Sequence, residues 1–199
     1  MIDEIINDIA KKLDKKNDLR EKMLTKSRTI VHNCGKGIKN IHSGKYKEVL
    51  DLINQIKEMI ESLMQSINKD TPELAYNGNI YVMYQEFTEL CILNSIITKD
   101  TFISYQDLNV PINSYLLGLC DVVGELRRYC LDSIRKNKID DAEKSLKFMD
   151  EIFENLSSLN YPNGLVHNLR RKSDVARLLV EKTRADVTMA WVMLRNNKD

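Results

Sequence analysis

Helix breakers are scarce in this chain: seven glycines and three prolines in 199 residues. Short strands must be separated by turns, and turns draw heavily on those two residues, so a β protein of this length would need many more. Apolar residues recur instead with a helical period almost end to end. The pattern predicts helices over about 2–15, 18–42, 45–67, 72–98, 114–137, 140–159 and 164–196. Thr71-Pro72-Glu73 reads as a start signal, with a capping hydroxyl, proline at the first helical position and an acid at the positive end of the helix dipole. Asn113 or Ser114 is placed to cap the next helix and Asn163 the last. No internal repeat, low-complexity tract or linker divides the sequence. The expectation is all-α: one seven-helix bundle over residues 1–199.

Composition excludes some classes and leaves others open. A hydrophobic share of 43% is enough for a sizeable core. No uninterrupted apolar run reaches about 18 residues, so no membrane span is expected. Asp3, Glu4 and Asp8 make the N-terminus unlike a basic targeting leader, and a cytoplasmic protein is expected. Cys34, Cys91, Cys120 and Cys130 form no CxxC pair and no cluster with histidine, so they read as reduced, small apolar residues rather than zinc ligands.

The sharpest anomaly is YLLGLCDVVGEL, residues 115–126, whose only charges are Asp121 and Glu125. On a helix, Leu116, Leu119, Cys120, Val123, Leu126, Cys130 and Ile134 share one apolar stripe, while the two acids lie one turn apart on another face. A helix apolar almost all round is usually buried, and a buried carboxylate is costly unless it is paired, hydrogen-bonded or bound to a cation. Gly118 and Gly124 each cost about 1 kcal/mol relative to alanine inside a helix, which suggests close approach by another helix or a substrate. The preceding helix repeats the pattern. Glu86 falls in the middle of the stripe formed by Met83, Leu90, Leu93 and Ile97, and Glu89 at its edge.

Four carboxylates from two facing helices suit a hard cation such as Mg²⁺ or Mn²⁺. Such an ion lowers the pKa of a bound water and stabilises charge on a phosphoryl oxygen during in-line attack. The acids could equally pair with arginines such as Arg127 or Arg128, or cap a subunit interface, and pattern alone does not separate these readings. A ferritin-like di-iron site needs Glu-x-x-His, but Thr29, Lys39 and Gly164 stand three residues before His32, His42 and His167. All-α nucleotide pyrophosphohydrolases use ExxE followed by a second acidic pair. Glu86-x-x-Glu89 fits the first half, and Asp121-x-x-x-Glu125 departs in spacing.

These residues resemble a known family. YLLGLCDVVGELRRYCLDSI (115–134), preceded by QEFTEL (85–90), is similar to the translin superfamily, which includes translin and translin-associated factor X. LRRKSDVARLLVEKTRADV (169–187) and DLREK (18–22) resemble the signatures of its prokaryotic members. The resemblance spans essentially the whole chain. It implies a seven-helix bundle of translin type, assembled into a hollow, roughly octameric homo-oligomer that binds single-stranded RNA or DNA. It also implies a divalent-metal-dependent endoribonuclease, since Glu86, Glu89, Asp121 and Glu125 all match the acidic motif of the nuclease branch, from which the translin branch departs. Arg20 in DLREK matches a position that contributes to nucleic-acid binding.

Charge distribution supports a polyanionic partner despite a formal net charge of only +1. Residues 11–47 carry twelve lysines and arginines against three acids, with no acid from Lys22 to Lys47. Arg20, Lys22 and Lys26 are therefore the candidate phosphate contacts, although a merely solvated lysine face has the same pattern. Arg170, Asp174, Arg177, Glu181 and Arg184 alternate in sign and read as ion-pairing residues within or between subunits. The three histidines read as surface or hydrogen-bonded residues rather than catalytic bases, and Trp191 as a core or subunit contact. The leading expectation is an endoribonuclease on single-stranded RNA with Mg²⁺ or Mn²⁺ at the four acids. The alternatives are a non-catalytic single-stranded RNA- or DNA-binding oligomer and a nucleotide pyrophosphohydrolase.

Overall fold

A computed structural model describes residues 1–196, and the last three of the expected 1–199 domain lie outside the described residues. It holds seven α-helices and no strand among those residues: α1 (Ile2–His42), α2 (Tyr46–Asp70), α3 (Gly78–Lys99), α4 (Tyr105–Leu108), α5 (Ile112–Arg135), α6 (Ile139–Ser157) and α7 (Leu169–Asn196). The all-α bundle is as expected, but two boundaries are not. The stretches 2–15 and 18–42 are one continuous helix, because Lys16 and Asn17 supply no proline or glycine to break it. The expected helix 72–98 is divided. Pro72–Tyr76 forms a 3-10 turn, and Asn77 then starts α3 by accepting the Asn79 backbone N–H at 3.0 Å.

The expected caps are partly reassigned. Pro111 precedes α5 with no side-chain cap, and Ser114 Oγ instead donates to the Tyr81 carbonyl at 2.9 Å, tying α5 to α3. Asn163 does act near the start of α7, accepting the Asn168 N–H at 3.1 Å, but the helix itself begins only at Leu169.

α5 sits at the centre, packed on α3, α6 and α7, while α1 packs on α2 and α3. The core runs through Ile30, Ile41, Ile56, Met83, Leu90, Leu93, Val123, Leu126 and Met149. Gly118 shows why α5 can lie so close to α3. A Cβ there would stand 2.8 Å from Thr88 Cγ2 and 2.9 Å from the Gln85 carbonyl oxygen, which is backbone and cannot yield. Gly124 has no such need, since its nearest neighbour would be Leu179 Cδ1 at 3.9 Å. The close approach expected at both glycines exists at one.

Burial on α1 starts only at Met23. The turns before it project as an exposed arm with Ile2, Ile5, Ile6, Ile9 and Leu13 on its surface. Trp191 is 40% exposed beside a groove of about 480 Å³ between α6 and α7, so it is not part of this chain's core. All four cysteines are free and buried, and burial pushes the Cys91 and Cys120 thiols up to about 12, as fits apolar residues. No described helix is long and apolar enough to cross a membrane.

Candidate active site

The contact between α3 and α5 brings the four predicted acids into one electrostatic neighbourhood. Glu89 feels the charges of Asp121, Glu86 and Glu125 together, and it is only 7% exposed. Burial first, and then those three carboxylates, push its carboxyl up to about 8. Glu86 is raised for the same reasons, burial leading and Asp121 following. No hydrogen bond or ion pair engages Glu86 or Glu89 among the described residues. Sequence pattern made Glu86 the more anomalous of the two, and the structure reverses that order. α3 is buried without interruption from Phe87 to Ile96, so no single stripe marks its inner face, and Glu89 lies inside that stretch.

The α5 pair is in the opposite condition. Asp121 Oδ1 accepts a hydrogen bond from Lys172 Nζ on α7, and Asp121 Oδ2 accepts one from Gln85 Nε2 at 2.6 Å. Glu125 Oε2 lies 2.5 Å from His42 Nε2, at the last residue of α1, and 3.7 Å from Arg128 Nη1. The His42 contact, more than any other, holds the Glu125 carboxyl below its ordinary range. The His42 side chain is 5% exposed and its Nδ1 is buried without a partner.

Arginine pairing does not account for these acids. Arg127 turns away to Thr183 Oγ1 at 2.8 Å and Asp186 Oδ2 at 2.9 Å, and Arg128 reaches only the edge of Glu125. The residues that do hold the acids, Lys172, Gln85 and His42, were not singled out as site residues in the sequence. Gln85 adjoins Glu86 in QEFTEL, but Lys172 and His42 meet their partners across 51 and 83 residues, and no local signal marks them. The histidines were expected to be surface or hydrogen-bonded residues, and His42 is of the second kind. His32 and His167 are exposed.

The donor set fits a hard divalent ion in chemistry: four carboxylates, one of them buried and in ion-pair contact with no cation among the described residues. As placed, however, no three His, Cys, Asp or Glu side chains among the described residues are gathered to hold an ion. The reason is visible in the contacts, since Asp121 faces Lys172 and Gln85 while Glu125 faces His42.

The basic candidates lie elsewhere. Lys22 and Lys26 are exposed and enter no ion pair among the described residues, whereas Arg20 pairs with Glu21 at 2.7 Å. At about 1.5 Å per residue, Lys26 and Arg20 stand roughly 24 and 33 Å along α1 from His42. The alternating stripe on α7 gives one pair, Arg184 with Asp150 of α6 at 2.7 Å, which is neither intrahelical nor part of the acidic site.

Comparison with known proteins settles the lineage. The Translin family model matches residues 2–185. The chain belongs to the Translin family. An uncharacterized protein of Methanocaldococcus jannaschii is 35% identical over 184 residues, covering 92% of this chain and 81% of that protein. The translin-associated protein X homolog of Schizosaccharomyces pombe is 23% identical over 188 residues, covering 85% and 80%. Among solved structures, AfC3PO in a complex with duplex RNA superposes with a TM-score of 0.83 at 29% identity, covering 94% of this chain and 97% of that one. Apo-NeC3PO, at 19% identity and a TM-score of 0.83, shares the fold. Membership leaves the pyrophosphohydrolase alternative without support.

Proposed function

We propose that this Translin-family chain is a cytoplasmic, divalent-metal-dependent endoribonuclease that binds single-stranded RNA and works as a homo-oligomer, an octamer on the family resemblance. The observation that carries the reading is Glu89, a buried carboxyl surrounded by three other carboxylates and touched by no cation. Glu86, Glu89, Asp121 and Glu125 would hold Mg²⁺ or Mn²⁺. A bound ion of that kind supplies a water of lowered pKa and stabilises charge on the phosphoryl oxygens.

The chain's own groups divide the remaining work. His42 Nε2 fixes the Glu125 carboxylate in its ionised form, and Gln85 does the same for the orientation of Asp121. With the ion bound, one of the four carboxylates would orient the attacking water or accept its proton. Arg20, Lys22 and Lys26 bind phosphates well away from the cleavage point, so a strand must run along α1 or reach across a subunit boundary. The RNA side of the reading is supported by the likeness to AfC3PO, whose complex holds duplex RNA. The exposed apolar arm of α1 is surface that subunit contacts would cover.

One observation favours a second reading. Asp121 and Glu125 are already satisfied by Lys172, Gln85 and His42, as suits a non-catalytic single-stranded RNA- or DNA-binding oligomer that needs no ion. The two readings part in one assay. Purified protein is incubated with a labelled single-stranded RNA, and separately with its duplex, in Mg²⁺, Mn²⁺ or chelator. The nuclease reading expects metal-dependent cleavage of the single strand that is lost in Glu125→Ala. Cleavage that persists in that variant, or retention of intact RNA under every condition, sinks it.

A further inference from the structure

We propose that Lys172 is a built-in counter-ion that occupies the divalent ion's place on Asp121, is displaced when the ion binds, and then offers its ammonium to a phosphate of the RNA. The inference rests on the metal-site reading above.

Lys172 stands on the first turn of α7, a helix that contributes none of the four acids. Its Nζ nevertheless donates to Asp121 Oδ1 on α5. Its charge also reaches α3, where it favours the ionised forms of both Glu86 and Glu89. It is thus the cation shared by three of the four carboxylates, while Arg128 and His42 serve Glu125 alone. Lys172 bonds Asp121 alone, and no cation forms an ion pair with Glu86 or Glu89 among the described residues.

The two cations exclude each other. A divalent ion needs the Asp121 oxygen that Lys172 occupies, and two positive charges a few ångströms apart in a half-buried site repel strongly. Lys172 is suited to yield. Its side chain is 30% exposed, so its ammonium can move into water without stranding a buried charge. Its stem is flexible and its head is a point charge, unlike the fixed fork of an arginine. Once released, Nζ remains tethered beside the acids, where it can bind a phosphate oxygen by a charge-assisted hydrogen bond. Metal loading would then prepare both halves of the site: the acids for the water and Lys172 for the strand.

Titration calorimetry with Mn²⁺ alone tests the first half on the full chain, comparing wild type with Lys172→Met and Lys172→Arg. Removing the competing charge is expected to tighten Mn²⁺ binding by roughly three- to tenfold, while the charge-conserving arginine stays near wild type. Lys172→Gln is read in the same way should the methionine variant not fold. A neutral variant that binds Mn²⁺ no more tightly than wild type overturns the role of Lys172 and leaves the metal site standing. Absence of Mn²⁺ binding in every protein overturns both. A single-stranded RNA 2′-O-methylated throughout, checked on a gel to be intact after each titration, tests the second half. Mn²⁺ should raise its affinity for wild type but not for Lys172→Met, and an equal gain in both overturns the phosphate contact.

Discussion

The two carboxylate pairs face each other across one helix contact and are held in opposite electrostatic states. On α5, Asp121 and Glu125 are each gripped by groups from other elements, and Glu125 titrates below its ordinary range. On α3, Glu86 and Glu89 make no hydrogen bond or ion pair among the described residues, and both are shifted above it. The residue types are nearly the same, so the difference comes from packing. α5 presents its acids to the ends of α1 and α7, where a histidine and a lysine arrive, whereas Glu89 lies within the continuously buried stretch of α3. One pair is prepared for charge, and the other lacks the charge that would suit it.

The strongest way to break this comparison is to remove a prepared acid. Asp121→Asn keeps the shape and the Gln85 contact while deleting the charge, and RNA cleavage should fall by about 10²–10³-fold in a single-turnover assay, the scale of losing one electrostatic catalytic group. If the α5 pair were only structural, activity would survive with stability lowered. Removing the support instead of the acid should cost less. His42→Ala leaves Glu125 in place but unfixed, and a drop of about 10–100-fold in Mn²⁺ affinity or cleavage is expected, with RNA affinity unchanged.

The pairs should also respond to pH with opposite signs. Glu89 has a folded pKa of about 8 against an ordinary 4.5, so the folded chain binds the extra proton between those values. Its contribution to stability is full below about 4.5 and is lost as pH rises through 8. Glu125 is shifted the other way, and its contribution is present above its ordinary value and lost in acid. Denaturant melts of the metal-free protein should therefore show Glu89→Gln to be more stable than wild type at pH 8, by roughly 1–3 kcal/mol, and nearly equal at pH 5. Mn²⁺ should narrow the gap at pH 8, and a gap independent of pH would show that Glu89 is not short of a cation. The smallest effect is expected far from both pairs. Lys22→Ala with Lys26→Ala should flatten the salt dependence of RNA binding by about 0.7 in log–log slope for each phosphate left without its lysine, and the cleavage rate at saturation should not change.

Much of the fold was legible because helix periodicity and scarce breakers are local signals. The merger of 2–15 with 18–42 was not, since nothing in Lys16-Asn17-Asp18 says whether a polar interval is a turn or an exposed helical stretch. The four acids were legible because charge stands out in apolar helices, and Gly118 correctly announced the close contact that brings α3 to α5. The burial order within the α3 pair was hidden, because a helix enclosed on nearly all sides has no periodic face to read. Lys172 and His42 were hidden for a different reason. Each belongs to a stretch where basic or polar residues are common, and only the three-dimensional arrangement selects the one that reaches an acid.

On this view the unpartnered acids of α3 and the supported acids of α5 bind one class of ion together. The direct measurement is a crystal grown or soaked in Mn²⁺, with anomalous scattering used to locate the metal. The prediction is a peak between α3 and α5 in contact with Glu86, Glu89, Asp121 and Glu125, absent in Glu89→Gln. A fully soaked crystal with no peak there, or with Lys172 still bonded to Asp121 beside an ion bound elsewhere, would contradict it.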